Sequence, residues 1–294
     1  MSQIVSVDDL VSLMTDAQIA DLNTLMINRS GGGSVVPETR YLHKDWRAAG
    51  VAAPNSVANV LTSLWTFDGV PSGGVAPTTW VNPTNTTAGG LQQVDPTGGR
   101  KKFLSYLTGF VSTAGTVMFY DRLGHMGGMS GTTTTAQNTN AGSAGTITRY
   151  TTGERNWAWA EIYTALGATA TTYTCSYVNQ AGTAKTSTPM VIGGTSHTEI
   201  NRIVPMSLAS GDYGVRSVTS LTLAATTGTA GNFGVTIGRP LFFLPIGSTN
   251  TAVSRSYIDG SLPQILAGAC IAMALLPSAA NASIVDVWAE MIEA

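Results

Sequence analysis

The stretch that decides the fold is WAWAEIY at residues 157–163, where Trp157, Trp159 and Tyr163 alternate with alanine and isoleucine. An alternation with a period of two places successive side chains on opposite faces of a β-strand. The stretch TYTCSY at residues 172–177 repeats the pattern and runs into Asn-Gln-Ala-Gly at residues 179–182, which is typical of a turn. The two stretches therefore predict neighbouring strands.

Other strand-like stretches lie on both sides of this pair. Residues 103–111 and 116–120 form two apolar runs before it, although the first could also be a short helix. After it come alternating stretches around Leu221, from Phe233 to Ile237 and from Ile284 to Ile292, and a short apolar run at residues 241–246. Short strands separated by turn residues predict a mainly β chain, with an antiparallel β-sandwich or jelly-roll-like domain over residues 101–294.

Residues 1–30 predict a short N-terminal amphipathic helical arm. Thr15 and Gln18 have the spacing of a capping box. The apolar residues recur at helical spacing, and we expect them to make interface contacts: Leu10, Leu13, Ile19, Leu22 and Met26. Glycines at residues 31–33 then predict a flexible hinge. Such a helix must dock either on its own domain or on a partner, and the sequence leaves both open.

Residues 31–100 predict a loop-rich extended region, because prolines and glycines interrupt every pattern there. The stretches 69–77 and 82–90 are polar and long for loops of a compact domain, which is typical of functional or disordered segments. Trp65 and Trp80 are candidate anchors that contact a neighbouring subunit. The alternative is that both are ordinary core tryptophans.

The composition is unusually poor in charge. Charged residues make up 11% of the chain, against about 25% in an ordinary globular domain. A surface covered by neighbours needs fewer charges to stay soluble, which favours an assembly subunit. The net charge of −2 argues against direct binding of nucleic acid. No stretch resembles a signal peptide, and the longest apolar run, residues 265–276, is too short to span a bilayer. We therefore expect synthesis in the cytoplasm and no membrane partner.

The search for catalytic chemistry finds no motif. His43, His125 and His197 have no partner at metal-ligand spacing, and no serine lies in a nucleophile motif. We therefore expect no enzyme activity, catalytic residue, metal or cofactor, with a motif-free hydrolase using His125 and Asp121 as a remote alternative. Cys175 and Cys270 lie far apart, so two buried free thiols are favoured over a disulfide.

Residues 150–245 resemble virion structural proteins of tailed bacteriophages. The resemblance is carried by ERNWAWAE at residues 154–161, TALGAT at 164–169, YVNQAG at 177–182 and TGTAGNFGV leading into RPL at 227–241. Among such proteins the chain is most similar to the head-associated ones that decorate or cement a capsid. The resemblance implies β-sandwich subunits, often trimeric, which bind capsid or other virion proteins, and a location in the virion after synthesis in the host cytoplasm. It brings no catalytic residues.

Two other roles remain open at this point. The chain could be a major or minor capsid, neck or tail subunit. It could also be a receptor- or glycan-binding module of a virion, in which exposed Trp and Tyr side chains would stack on sugars.

Overall fold

The computed structural model describes residues 37–45, 57–139, 146–195, 197–257, 262–280 and 284–293. The predicted helical arm, residues 1–30, lies outside the described residues. The described part is mainly β, and all its strand pairs are antiparallel, as the sequence predicts. Its strands are β1 (Glu38–Asp45), β2 (Thr62–Ser63), β3 (Gly69–Val70), β4 (Lys102–Val111), β5 (Gly115–Met129), β6 (Gln137–Asn138), β7 (Trp157–Thr164), β8 (Thr171–Asn179), β9 (Ala184–Thr186), β10 (Met190–Ile192), β11 (Ile203–Pro205), β12 (Val215–Leu223), β13 (Asn232–Ile246), β14 (Thr251–Ser256), β15 (Gln264–Ile265), β16 (Ile271–Pro277) and β17 (Ile284–Glu293).

The strands form three sheets. Sheet A has the order β14-β4-β17-β1-β3, and β15 also pairs with β4. Sheet B has the order β11-β7-β13-β5-β16-β2. Sheet C has the order β10-β8-β12-β6, and β9 also pairs with β8.

Eight of these strands pair in a nested order. β1 pairs with β17, β2 with β16, β4 with β14, and β5 with β13. In chain order the first of the eight therefore pairs with the last, the second with the seventh, the third with the sixth and the fourth with the fifth. Two further pairs, β17 with β4 and β16 with β5, join these hairpins into two four-stranded sheets.

The two sheets of this eight-stranded unit share the first hydrophobic core. Sheet A contributes alternate residues of β4 and β17, such as Leu107 and Val287, and sheet B contributes Val117, Phe119 and Leu244. Alternation along the strands places these side chains on the facing surfaces of the two sheets. Sheets A and B therefore pack face to face through an apolar layer.

Residues 130–231 form an insertion between the fourth and fifth strands of the nested set. Its strand β7 pairs with the N-terminal half of β13 and so widens sheet B, and its other long strands, β8 and β12, build sheet C. Sheet C packs on sheet B through a second core, which includes Leu123 and Met126 of β5, Val235 of β13, and Tyr173 and Leu221 of sheet C. The 15-residue strands β5 and β13 thus belong to both cores.

The length of β13 differs from the sequence expectation. The alternating stretch ending at Ile237 and the apolar run at residues 241–246 are predicted as separate strands, but they form one strand. Register shifts between Ile237 and Gly238 and between Pro240 and Phe242 let the strand continue through Pro240. Bulges of this kind bend a strand and change which face its side chains occupy, which explains why one alternation does not run through the whole strand.

Strand β1 is also missed by the sequence pattern. It lies in the region 31–100 that is predicted as loop-rich, yet it pairs with β17 along its whole length, from Glu38 opposite Met291 to Asp45 opposite Ile284. One of its inward residues is Lys44, which is fully buried and donates to the carbonyls of Phe67 at 3.0 Å and Pro71 at 2.8 Å. A charged residue at a buried position hides the apolar alternation by which strands are recognised.

Candidate functional site

A buried polar cluster lies where the two cores meet. Arg122 of β5 is at its centre and is fully buried. Its Nη2 lies 2.7 Å from Oε2 of Glu161, and its Nη1 lies 3.3 Å from Oε1, so β7 supplies a bidentate carboxylate partner. The surrounding acceptors are His125 Nδ1 at 2.9 Å, Tyr163 Oη at 2.9 Å, Thr236 Oγ1 at 3.0 Å and Tyr120 Oη at 3.1 Å.

The donors and acceptors of this cluster define its protonation. A guanidinium only donates, so His125 must accept at Nδ1 and carry its proton on Nε2. Burial and the charge of Arg122 lower the pKa of His125 well below its ordinary value, which agrees with a neutral ring. Burial opposes ionisation of Glu161, but Arg122 and a 2.6 Å hydrogen bond from Thr236 hold the pKa of Glu161 below its ordinary value. Arg122 and Glu161 are therefore both charged.

Trp65 closes one side of the cluster. The guanidinium of Arg122 lies 4.3 Å from the centre of the Trp65 ring, and the ring meets His125 edge-on at a centroid distance of 5.1 Å. Its Nε1 donates to the carbonyl of Val75 at 2.9 Å, which holds the 65–75 loop over the cluster. Trp65 is 1% exposed. It is thus a core tryptophan, the alternative to a surface anchor, and cannot contact a neighbouring subunit in this conformation.

Asp121, the residue before Arg122, forms a second buried ion pair. Asp121 accepts from Arg149 through both oxygens, at 2.8 Å from Nε and 2.7 Å from Nη2, and also from the backbone amide of Cys270 at 3.0 Å. Burial raises the pKa of Asp121, against the opposing charge of Arg149. Because Arg149 belongs to the insertion and Cys270 immediately precedes β16, this carboxylate connects the insertion to the eight-stranded unit.

The buried polar residues include both members of the hydrolase alternative. His125 and Asp121, the pair of the hydrolase alternative, are each buried and hydrogen-bonded to an arginine. Neither offers an accessible base or acid in this arrangement. In the part of the chain that the structure describes, no group of three His, Cys, Asp or Glu is placed to hold a metal ion. The absence of enzyme activity stays a prediction.

The other candidate residues lie elsewhere. Trp80 is partly buried against the second core, and its Nε1 donates to Asn82 Oδ1 at 2.6 Å. Leu10, Leu13, Ile19, Leu22 and Met26 lie outside the described residues. Both cysteines are buried and free, as the sequence favours. No helix among the described residues is long and apolar enough to cross a membrane.

The aromatic residues that the structure exposes are different ones. Trp157 is 45% exposed, Phe243 45%, Trp288 54% and Tyr213 58%. Trp157 was already visible as the first residue of the alternating stretch, but the pattern does not tell an outward aromatic from an inward one. Trp157 and Trp159 show this, since the second is 1% exposed. Surface contacts are better sought at these residues than at Trp65.

No protein-family model matches the chain, and no curated protein matches it. Among solved structures, the crystal structure of the infectious bursal disease virus VP2 subviral particle is similar at 9% identity and a TM-score of 0.18, over 92% of this chain and 85% of that chain. The structure of the infectious bursal disease virus Gt strain is similar at 8% identity and a TM-score of 0.18, over 87% and 80%. Likeness at this level carries no argument about the function of this chain.

Proposed function

We propose that this chain is a virion structural protein built on a jelly roll. The observation that carries the proposal is the nested antiparallel pairing of eight strands, from β1 with β17 inward to β5 with β13. Two four-stranded sheets joined in this way have the connectivity of a jelly roll, an architecture used by viral capsid proteins, lectins and cupins. Because a fold does not determine a function, the properties of the surface must distinguish among these classes of protein.

The surface favours assembly. Charged residues are only 11% of the chain, and several of them are withdrawn into the interior: Lys44, Lys102, Asp121, Arg122, Arg149 and Glu161. The surface therefore carries fewer charges than the 15 basic and 17 acidic residues of the whole chain. Exposed aromatic side chains, such as Trp157 and Trp288, add apolar area to it. A surface of this kind suits a subunit that is covered by neighbours.

In detail, we propose that the protein decorates or cements a bacteriophage capsid as a homo-oligomer, with a trimer favoured. It would act by burying sheet and loop surface against capsid subunits, and stable interfaces of this type bury roughly 1,200–2,000 Å². The resemblance of residues 150–245 to phage virion proteins supports this role, and those residues form much of the insertion and β13.

A second candidate is a shell-forming capsid subunit. It is favoured by the insertion, residues 130–231, which is mounted on the N-terminal half of β13 and the C-terminal half of β5, away from the first core. In such a subunit the jelly roll would tile the shell and the insertion would project from it.

Assembly assays on purified protein test both candidates. A decoration protein stays as small oligomers alone and binds preformed capsids, whereas a shell subunit forms closed particles alone, as seen by electron microscopy. Trp288→Ser and Trp157→Ser are expected to weaken whichever assembly occurs, and Val191→Ser, at a 43% exposed aliphatic residue of sheet C, serves as the matched control. A protein that neither binds capsids nor forms particles would contradict the virion role.

A further inference from the structure

A cleft of about 530 Å³ opens beside the junction of the two cores. Its walls include Tyr150, Arg155 and Trp157 from the segment that leads into β7, and Arg239 and Leu241 from the middle of β13. We call this feature the arginine cleft. Its volume lies within the range of about 300–1,000 Å³ that is usual for binding sites.

The two arginines give the arginine cleft a positive charge. Within the described residues, neither Arg155 nor Arg239 forms an ion pair with a carboxylate. Arg239 donates through Nη1 to the carbonyl of Glu154, and its guanidinium lies 5.0 Å from the ring centre of Tyr150. These contacts orient Arg239 but use no negative charge, so a ligand can supply the carboxylate for a bidentate hydrogen bond.

The backbone around the arginine cleft is held in a strained form. Among the described residues, five that are not glycine have a positive φ, and three of them are asparagines, which tolerate that region. The other two are Tyr150, at +50°, and Arg155, at +55°, and both line this cleft. The fully buried Asn156 holds the turn by donating through Nδ2 to the carbonyls of Tyr150 at 3.0 Å and Val215 at 3.2 Å. Strain maintained in this way is common at binding sites.

One wall of the arginine cleft is apolar, which bears on the ligand. Leu241, Leu266 and two prolines form an apolar wall, whereas Tyr150, Trp157 and Gln264 are neutral side chains that carry a polar group. A peptide that combines carboxylates with aliphatic side chains matches both the arginines and the apolar wall.

We propose that the arginine cleft binds the N-terminal segment of this chain, residues 1–28. This segment contains Asp8, Asp9, Asp16 and Asp21 and no lysine or arginine, and leucine, isoleucine and methionine recur between its aspartates. Its carboxylates pair with Arg155 and Arg239 while its aliphatic side chains pack on Trp157 and the leucines. The biological meaning of this contact rests on the proposed assembly role, in which the segment of one subunit holds the next.

Photo-crosslinking on the full-length purified protein tests this contact. The variant Leu13→p-benzoylphenylalanine is expected to crosslink to residues of the arginine cleft, identified by mass spectrometry. Arg155→Glu together with Arg239→Glu should lower the yield by about tenfold, because two attractive charge pairs become repulsive. Arg255→Glu is the matched control, since this arginine lies on β14 outside the cleft and contacts only the carbonyl of Ser254 among the bonds described; it should leave the yield unchanged.

A charge swap separates recognition from damage to the fold. Replacing the four aspartates of the segment by lysine should lower the crosslink yield in the same way, and combining this change with the two Arg→Glu substitutions should restore it. Crosslinks to other surfaces, or a crosslink yield that neither charge reversal changes, would overturn the proposal. Binding of an acidic glycan that the same two Arg→Glu substitutions abolish would also overturn it, because the arginine cleft would then be a sugar-binding site. Since no capsid is present, a crosslink can persist even if the virion role fails.

Discussion

Arg122 and Glu161 form an ion pair that is wholly enclosed, with Nη2 of the arginine 2.7 Å from Oε2 of the glutamate and both side chains 0% exposed. The pair joins β5 of the eight-stranded unit to β7 of the insertion. Removing two charges from water costs several kcal/mol for each ion, so such a pair is tolerable only where hydrogen bonds satisfy the remaining groups. Thr236, Tyr163 and His125 provide most of them, although the buried Nε of Arg122 has no hydrogen-bond partner among the described residues. The two units are therefore coupled through this pair.

We expect Glu161→Gln to lower the free energy of unfolding by about 3–5 kcal/mol, because it leaves the charge of Arg122 buried without a partner. Urea denaturation followed by tryptophan fluorescence measures the change. Replacing both partners, as Arg122→Met with Glu161→Leu, should cost less than the sum of the single changes, since no isolated charge then remains. Glu199→Gln, in the partly exposed pair with Arg202, is the control and should cost less than about 1 kcal/mol. A loss below 1 kcal/mol for Glu161→Gln would contradict the role of the pair.

His125 makes stability depend on pH in the weakly acidic range. Its pKa is well below 6.5 in the folded protein, because burial and Arg122 oppose its charge, whereas the unfolded chain titrates near 6.5. Below pH 6.5 the unfolded state binds a proton at His125 that the folded state does not bind. The contribution of neutral His125 to the free energy of unfolding is therefore fully present above this pH and is lost as the pH falls. One such group contributes a slope of about 1.4 kcal/mol per pH unit.

The variant His125→Asn checks this slope, because it keeps an acceptor near Arg122 and removes the titrating ring. Free energies of unfolding measured between pH 5 and 7 should fall with decreasing pH in the wild-type protein and fall less steeply in the variant. His197, whose pKa burial also lowers, remains in both proteins and cancels in the comparison. Equal slopes would show that folding does not lower the pKa of His125.

Gly234 permits the close pairing of β13 with β5. A Cβ at this position would lie 1.8 Å from the backbone oxygen of Met126, and a backbone atom cannot give way as a flexible side chain can. We expect Gly234→Ala to separate the two strands and lower the melting temperature by several degrees or prevent folding. At Gly247 a Cβ would meet nothing within 4 Å, so Gly247→Ala should leave the melting temperature nearly unchanged. Equal melting temperatures for both variants would contradict this pairing.

The two thiols should be unreactive in the folded protein. Cys175 and Cys270 are buried, and burial raises the pKa of the Cys270 thiol to about 12, far above the pH of a labelling experiment. Because the thiolate is the reactive form, iodoacetamide at pH 8 should label neither cysteine until urea unfolds the chain, when both react. Mass spectrometry counts the labels. Labelling within minutes in native buffer would mean that one of the cores opens readily.

The sequence by itself determines the strand content and many strand positions. Alternation locates β7, β8, β12, the N-terminal half of β13 and β17, because a half-buried or layered sheet requires a period of two. It also determines the low charge, which is the basis of the assembly hypothesis, and the burial of the two cysteines. These properties depend on neighbouring residues along the chain, so they can be read without knowing the partners in space.

Only the tertiary structure decides which strands pair and which faces are exposed. β1 joins β17 across almost the whole chain, and its buried Lys44 removes the apolar pattern that would have identified it. Trp157 and Trp159 occupy equivalent positions in one alternation, yet one is exposed and the other buried, because different segments cover them. The partner of Glu161 lies 39 residues away on another strand. Such pairings arise from long-range contacts, which local periodicity does not encode.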